Sequence, residues 1–332
     1  MSNPAPLAEL WRGDLLESLH TGHAVICDSS GQIVWACGNP DAIIYPRSSA
    51  KMIQALPLVE SGAADATGLG VPQLALSCAS HSGEAQHTTR VADWIEGLGL
   101  SESDFRCGVQ QPTHTETRRT LLLNGEAPCQ LHNNCSGKHA GFLTLNRHLG
   151  AGAEYVEVDH PVQTACKTAF EEVTGMDSPC YGIDGCSAPN FATSVHGLAR
   201  AMASFASAHT RSGVRAEAQS RLVQAMITHP ELVAGTGRAC TELMGAAAGR
   251  AALKTGAEAV FVGMIPETGF GIALKVVDGG TRGAECAIAA LMVRLGILDA
   301  NDPAVLKRMN AVQKNWRGIE TGIIRPTAHL LS

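Results

Sequence analysis

The segment AEAVFVGMIPETGFGIALKVV, residues 257–277, decides the fold. Its apolar and β-branched residues predict two strands, 257–265 and 269–277, joined by a short turn rich in proline and glycine. A similar pattern lies near the other end of the chain in HAVICDSSGQIVWACG, residues 23–38, which predicts a β-hairpin around Asp28 to Gly31. Segments that form strands therefore lie near both ends of the chain.

The middle of the chain is predicted to be helical. Apolar residues recur there at intervals of three and four, in residues 50–65, 84–99, 160–175, 190–209 and 215–230. Another amphipathic helix is predicted in RGAECAIAALMVRLGIL, residues 282–298. We therefore predict an α+β fold in which residues 1–47 and 251–332 form an antiparallel sheet with flanking helices. Residues 48–250 form a mainly helical region inserted between them.

Composition narrows the functional class. The chain has 332 residues, 45% of them hydrophobic and 17% charged, with a net charge of −6 and no block of Lys and Arg. Nucleic acid and anionic membranes are therefore not expected partners, whereas a small molecule is. The N-terminal segment has no secretory pattern and no 18 apolar residues run together, so we expect a cytoplasmic protein. The 11 cysteines are scattered and do not suggest a disulfide framework.

A serine and a lysine in YPRSSAKMIQAL, residues 45–56, are the first candidates for catalysis. Ser48 and Lys51 lie three residues apart, so on a helix both side chains share one face, within hydrogen-bonding reach. A lysine acts as the base for a serine only in its uncharged form, which burial or a neighbouring cation favours. The simpler alternative is that Ser48 caps a helix and Lys51 is solvated.

Two later motifs support the catalytic interpretation. They are SCASHSGE, residues 77–84, and LKTGAE, residues 253–258, in which Lys254 precedes a predicted strand. Ser-x-x-Lys, a later serine and a late Lys-Thr-Gly follow the order of motifs in serine β-lactamases and penicillin-binding proteins. The Ser-Asp-Asn motif of those enzymes is absent, so the resemblance lies in the arrangement.

A metal site is the next candidate. LHNNCSGKHAGFL, residues 131–143, and YGIDGCSAPN, residues 181–190, contain Cys135 and Cys186, and two thiolates with one nitrogen suit zinc. Cys135 and His139 would be one helical turn apart, so spacing alone favours His139 as the nitrogen ligand. The alternative is two buried free cysteines and a packed histidine.

Six blocks in one order resemble the Rhizobium etli type of L-asparaginase. They are YPRSSAKMIQA, SCASHSGE, NNCSGKHAGFL, GIDGCSAPNFA, PELVAGTGR and KTGAEAVF. The resemblance runs from about residue 20 to residue 280. It implies the architecture of serine β-lactamases and glutaminases, hydrolysis of L-asparagine and a homodimer.

The resemblance also implies roles for individual residues. Ser48 would be the nucleophile with Lys51 as its base, and Ser80 would form a second serine–lysine tandem with Lys254. Lys275, also in a predicted strand, is the other candidate for the lysine of that tandem.

For the metal, the resemblance replaces His139 with a lysine. Cys135, Lys138 and Cys186 would hold Zn²⁺, with Asp184 hydrogen-bonded behind them, and zinc need not be required for activity. A lysine ligand binds as the neutral amine, so zinc binding would release a proton.

Three polar residues are candidates for anchoring the charged ends of the substrate: Arg47, His139 and Arg238. For each, a structural salt bridge or cap is the alternative. The function predicted is that of an L-asparaginase, with a glutaminase or another small-amide hydrolase as the nearest alternative. An amino-acid-binding or zinc-binding protein without catalysis is the alternative from a different class.

Overall fold

A computed structural model describes residues 3–332, and its strands lie mostly near the two ends of the chain. They are β1 (Ala5–Arg12), β2 (Leu15–Cys27), β3 (Ile33–Cys37), β4 (Ile43–Ile44), β5 (Tyr181–Ile183), β6 (Pro189–Phe191), β7 (Thr193–Ser194), β8 (Ala252–Gly256), β9 (Val260–Ile265), β10 (Phe270–Val276), β11 (Ala311–Lys314) and β12 (Glu320–Pro326).

The main sheet is antiparallel and joins the two ends of the chain. Its strand order is β11-β12-β1-β2-β10-β9-β8, and β3 pairs with β2. The central pairing is between β2 and β10, with Cys27 opposite Gly271 and Gly22 opposite Val276. The predicted fold class, an antiparallel sheet built from both chain ends together with a helical region, is confirmed.

Helices fill most of the chain between the outer strands. They are α1 (Lys51–Gln54), α2 (Leu56–Glu60), α3 (Ala63–Ala66), α4 (Val71–Ser77), α5 (Ala85–Gly97), α6 (Thr115–Asn124), α7 (Ser136–Leu149), α8 (Pro161–Thr174), α9 (Val195–Ala206), α10 (Val214–Thr228), α11 (Pro230–Val233), α12 (Ala239–Ala246), α13 (Thr281–Arg294) and α14 (Pro303–Leu306). The helix predicted over 50–65 is divided into α1, α2 and α3, with Pro57 in the first turn of α2 and Gly62 at φ +80° before α3. None of the helices described is both long and apolar enough to span a lipid bilayer.

The sheet unit contains the residues up to Ser49, Thr193–Ser207 and Glu242–Ser332. Helix α9 packs closely on β10, because a Cβ at Gly271 would lie 2.0 Å from the Ala203 nitrogen. Helix α13 packs on β1 and β12, where Cys286 meets Leu10 and Ile324 in a buried apolar cluster. The predicted division assigned residues 193–207 to the helical region, whereas the packing of α9 on β10 groups them with the sheet.

The helical unit contains Ala50–Ala192 and Ala208–Thr241. Helix α7 contacts α4, α5 and α8, and its residues from Ser136 to Leu145 are buried. Gly137 allows the closest approach, since a Cβ there would lie 2.3 Å from the carbonyl oxygen of Leu76 in α4. Helix α7 thus positions a cluster of polar side chains at its N-terminal end.

Candidate active site

Ser48 lies in the sheet unit, in a 3-10 turn, Arg47–Ala50, that precedes α1. Ser49 stabilises the turn, because its N–H and its Oγ both donate to the carbonyl oxygen of Pro46, at 3.2 and 2.7 Å. Arg47 has φ +54°, a left-handed conformation that is costly for a residue other than glycine. Ser48 itself is half-buried. The predicted nucleophile therefore follows a strained residue in a turn fixed by its neighbour.

The Lys-Thr-Gly motif lies next to this turn, in the same unit. A Cβ at Gly256 would lie 2.5 Å from the Pro46 oxygen and 3.1 Å from the Ser49 nitrogen. The glycine in β8 therefore allows the turn containing Ser48 to approach the edge of the sheet. Lys254 is buried, and its Nζ donates to the carbonyl oxygen of Thr255 at 2.8 Å.

Lys51 and Ser80 form a buried pair in the helical unit. The Lys51 side chain is 1% exposed, and its Nζ donates to the carbonyl oxygen of Ala79 and to Ser80 Oγ, the latter at 2.9 Å. The Ser80 backbone is held by a hydrogen bond from its N–H to the carbonyl oxygen of Val233, also 2.9 Å long. The pairing of Lys51 with Ser80 was not predicted. The predicted pairs Ser48–Lys51 and Ser80–Lys254 join residues of different units and remain predictions.

His81 connects this serine segment to the beginning of α7. Its Nδ1 accepts from the N–H of Gly83 at 3.2 Å, so Nε2 carries the proton and donates to Ser136 Oγ at 2.9 Å. The His81 N–H also donates to the carbonyl oxygen of Asn134 at 3.1 Å. Burial lowers the pKa of His81 well below its ordinary value, so the ring stays neutral. One tautomer of a buried histidine thus fixes the segment that carries Ser80.

The predicted zinc ligands meet beside α7. Lys138 Nζ donates to Cys186 Sγ at 3.0 Å, and the thiols of Cys135 and Cys186 are hydrogen-bonded to each other. All three side chains are buried. Among residues 3–332, no group of three or more His, Cys, Asp and Glu side chains is arranged to hold a metal ion. The cluster instead combines two thiols with the amine of Lys138.

The thiols differ in acidity. The hydrogen bond with Cys135 and the ammonium of Lys138 hold the pKa of Cys186 well below its usual range, although burial alone would raise it. For Cys135, the same hydrogen bond together with burial raises the pKa. Burial alone would lower the pKa of Lys138, but the negative charge at the thiols outweighs it and raises that pKa. Within the cluster, one thiolate is thus paired with one ammonium.

His139 lies behind this cluster. Its side chain is fully buried, and its Nδ1 is 2.9 Å from the hydroxyl of Tyr155, which accepts a hydrogen bond from the N–H of Arg106. Burial lowers the pKa of His139 to about 4. Its predicted contact with substrate remains untested.

The other predicted residues lie on two turns of the helical unit. Asp184 occupies the turn before Cys186, where its N–H donates to the carbonyl oxygen of Ala188 at 2.9 Å, and its charge contributes to the raised pKa of Lys138. Arg238 is half-buried and ends a turn in which its N–H donates to the carbonyl oxygen of Gly235 at 3.3 Å.

The sequence match that decides the family covers almost the whole chain. A sequence model of the L-asparaginase II family matches residues 8–326. The chain belongs to the L-asparaginase II family. This family is one of amidohydrolases, the enzyme class that the sequence predicted.

The solved structures that match the chain have low sequence identity to it. Mglu in its native form and in its tris and glutamate form are each 13% identical to the chain, with TM-scores of 0.49 and 0.48. The two matches cover 85% and 91% of this chain. They cover 66% and 64% of the Mglu chains, so this chain spans slightly less than two thirds of the length of Mglu. A β-lactamase from Mycobacterium bovis is 14% identical, with 82% of this chain and 94% of that chain covered and a TM-score of 0.43. Comparison with curated proteins gave no match.

Three residues of this candidate site were not singled out from the sequence. Glu84 and Thr236 form a hydrogen-bonded bridge next to Ser80, and His81 fixes its segment. Glu84 and His81 lie in the quoted block SCASHSGE, and Thr236 lies in PELVAGTGR. Both blocks were noted in the sequence as polar segments, but spacing along the chain does not show that they meet.

Proposed function

We propose that this protein is an L-asparaginase of the Rhizobium etli type, which hydrolyses L-asparagine to L-aspartate and ammonia. Family membership over residues 8–326 supports the amidohydrolase class. The observation that best supports a serine–lysine mechanism is the buried hydrogen bond of 2.9 Å from Lys51 Nζ to Ser80 Oγ, which places the proposed base beside the serine of the second proposed tandem. No carboxylate among residues 3–332 forms an ion pair with Lys51, so its amine is directed at oxygen atoms of the serine segment.

In the proposed reaction, Ser48 Oγ attacks the carboxamide carbon of asparagine and its proton passes to Lys51. The tetrahedral oxyanion collapses, the C–N bond breaks, and the amine leaves as ammonia with the proton from Lys51. Water then attacks the aspartyl ester and gives a proton to Lys51. The ester C–O bond breaks, Lys51 passes that proton to Ser48 Oγ, and aspartate is released. Ser80, with Lys254, would relay protons. Backbone N–H groups at the turn of Ser48 would stabilise the oxyanion, each contributing about 3 kcal/mol.

We further propose that Cys135, Lys138 and Cys186 are ligands of a Zn²⁺ ion. Asp184 would be hydrogen-bonded to this ligand set without binding the metal. The donor chemistry fits, because two thiols and one amine are buried together and sulfur ligands favour zinc. When bound, zinc supplies positive charge that keeps both thiols deprotonated. Lys138 would give up its proton on binding.

Substrate anchoring is proposed for Arg47, His139 and Arg238, and the protein is proposed to act in the cytoplasm as a homodimer. The nearest alternative activity is that of a glutaminase, since glutamine is longer by one methylene, worth about 1–3 kcal/mol in a pocket. The ratio of kcat/KM for asparagine and glutamine decides between these substrates. A protein that binds an amino acid or zinc without catalysis is the alternative from another class.

Ammonia release from L-asparagine tests the proposal directly. We expect Ser48→Ala and Lys51→Ala each to lower kcat about 10³-fold or more, because each removes a group that acts on the reacting bond. Lys167→Ala, which removes a half-exposed lysine of α8, is the matched control and should keep the wild-type rate. Peptide mapping of the trapped acyl-enzyme identifies the esterified serine. A wild type as inactive as Ser48→Ala on both amides would favour the binding-protein alternative.

A further inference from the structure

One buried carboxylate joins two segments of the helical unit. Glu84 Oε1 accepts from Ser82 Oγ at 2.5 Å and from the N–H of Thr236 at 2.8 Å. Its Oε2 accepts from Thr236 Oγ1 at 2.7 Å and from Gln86 Nε2 at 2.8 Å. Glu84 is 8% exposed. Residues 82–86 and Thr236 are therefore joined by hydrogen bonds that all end on the same carboxylate.

A glycine packs directly against this carboxylate. Gly235 has φ +109°, and a Cβ there would lie 2.0 Å from Ser82 Oγ and 2.5 Å from Glu84 Oε1. Any side chain at this position would separate the two segments or displace the carboxylate. The absence of a side chain at Gly235 thus allows the close contact between residues 82–84 and 235–236.

Ser80 lies at the end of the same contact. Its N–H donates to the carbonyl oxygen of Val233 at 2.9 Å. Segment 233–236 therefore contacts Ser80 through the Val233 carbonyl and contacts the Glu84 carboxylate through Thr236. Ser80 Oγ is in turn the hydrogen-bond acceptor of Lys51. Displacing segment 233–236 would therefore move the serine that Lys51 contacts.

We propose that Glu84 is a positioning residue, which holds segment 233–236 against residues 80–84 and so fixes Ser80 in hydrogen-bonding contact with Lys51. The inference rests on the proposed function, because it assigns Glu84 an effect on the serine–lysine pair. Hydrogen bonds to an ionised carboxylate are shorter and stronger than neutral ones, which suits a residue that sets the position of another. No Lys or Arg among residues 3–332 forms an ion pair with Glu84, so its charge is directed to the two segments alone.

The first test substitutes the carboxylate. Glu84→Gln keeps the shape but weakens the bridge, and Glu84→Ala removes it. We expect kcat to fall about 10-fold and about 100-fold respectively, with KM changed less than about threefold, because small displacements of a catalytic group lower the rate steeply. Glu116→Gln, at an exposed site in α6, is the matched control and should keep the wild-type kcat.

Hydrogen exchange across residues 79–83 provides a readout that does not depend on activity. Protection of the Ser80 amide should fall in Glu84→Gln and Glu84→Ala, whereas exchange of α13 should not change. Wild-type kcat in both variants, or a lower kcat with unchanged Ser80 protection, would overturn the proposal. If the wild type hydrolyses no amide, the proposed function fails, while exchange still shows whether Glu84 fixes Ser80.

A pair of glycines tests the same contact without touching the carboxylate. Gly235→Ala should lower Ser80 protection, because its Cβ would crowd Ser82 and Glu84. Gly237→Ala is the control, since Gly237 also has positive φ, +73°, but a Cβ there meets nothing within 4 Å. Equal Ser80 protection in the two variants would contradict the proposed contact.

Discussion

Glu84 illustrates how a buried carboxylate remains ionised without an ion pair to a lysine or arginine of the described residues. Burial alone would raise its pKa, but hydrogen bonds from Ser82 and Thr236 outweigh burial and lower the pKa from 4.5 to about 2. These donors belong to two backbone segments, so the carboxylate is stabilised only while both segments keep their positions. The same logic applies to His81, where one accepting and one donating nitrogen fix a neutral ring.

The lowered pKa of Glu84 predicts how stability depends on pH. A carboxyl that is more acidic when folded stabilises the protein above its unfolded pKa and loses that contribution as pH falls. The window here runs from pH 4.5 down to about pH 2. Denaturant unfolding of the wild type and Glu84→Gln should show a difference that shrinks from pH 7 to pH 3. A difference that stays constant over this range, or one equally large for Glu116→Gln, would contradict the assignment.

At the scale of elements, the packing of α7 on α4 places the site. Both Ser136, the partner of His81, and Lys138 belong to the first turn of α7, and α4 leads directly to the segment that carries Ser80. The two helices approach closely because Gly137 faces the carbonyl oxygen of Leu76. The relative position of the thiol cluster and the Lys51–Ser80 pair therefore depends on one helix–helix contact.

A pair of substitutions tests this contact. Gly137→Ala should lower the free energy of unfolding by about 2 kcal/mol, because its Cβ would lie 2.3 Å from backbone that cannot retreat cheaply. Gly97→Ala, at an exposed site in α5 with nothing within 4 Å, should raise it by about 0.5–1 kcal/mol. Urea unfolding measures both changes. Stabilisation by Gly137→Ala would mean that α4 and α7 are not in close contact.

Helical periodicity predicted several elements well, since α5, α8 and α9 fall within the predicted segments and α10 and α13 each begin one residue before theirs. The hairpin of β9 and β10 was predicted for the same reason, because a buried strand has a local apolar pattern. The Lys51–Ser80 contact was not predictable in this way. It joins residues 29 apart, and the packing of helices, not their spacing, brings them together.

At the scale of the whole molecule, strand pairing joins the two ends of the chain, and the local sequence pattern does not predict this pairing. Strands β1 and β12 were not predicted, because neither alternates cleanly between buried and exposed residues. They are strands because each finds a partner over 300 residues away, with Leu10 opposite Ile324. The overall class was still predictable, since the central strands β2 and β10 carry strong apolar patterns at opposite ends of the sequence.

Zinc should stabilise the folded protein as a whole. A ligand that binds only the folded state raises its stability by mass action, and the two cysteines lie about 50 residues apart in sequence, so the unfolded chain does not preform the site. We expect about one zinc per chain by elemental analysis of protein purified without chelator, and a lower Tm after treatment with a chelator. Cys135→Ala and Cys186→Ala should both lose the metal and the chelator effect. Cys286→Ala, which removes a fully buried thiol of α13, should keep both. Equal zinc content in the wild type and the three cysteine variants would remove Cys135 and Cys186 from the ligand set.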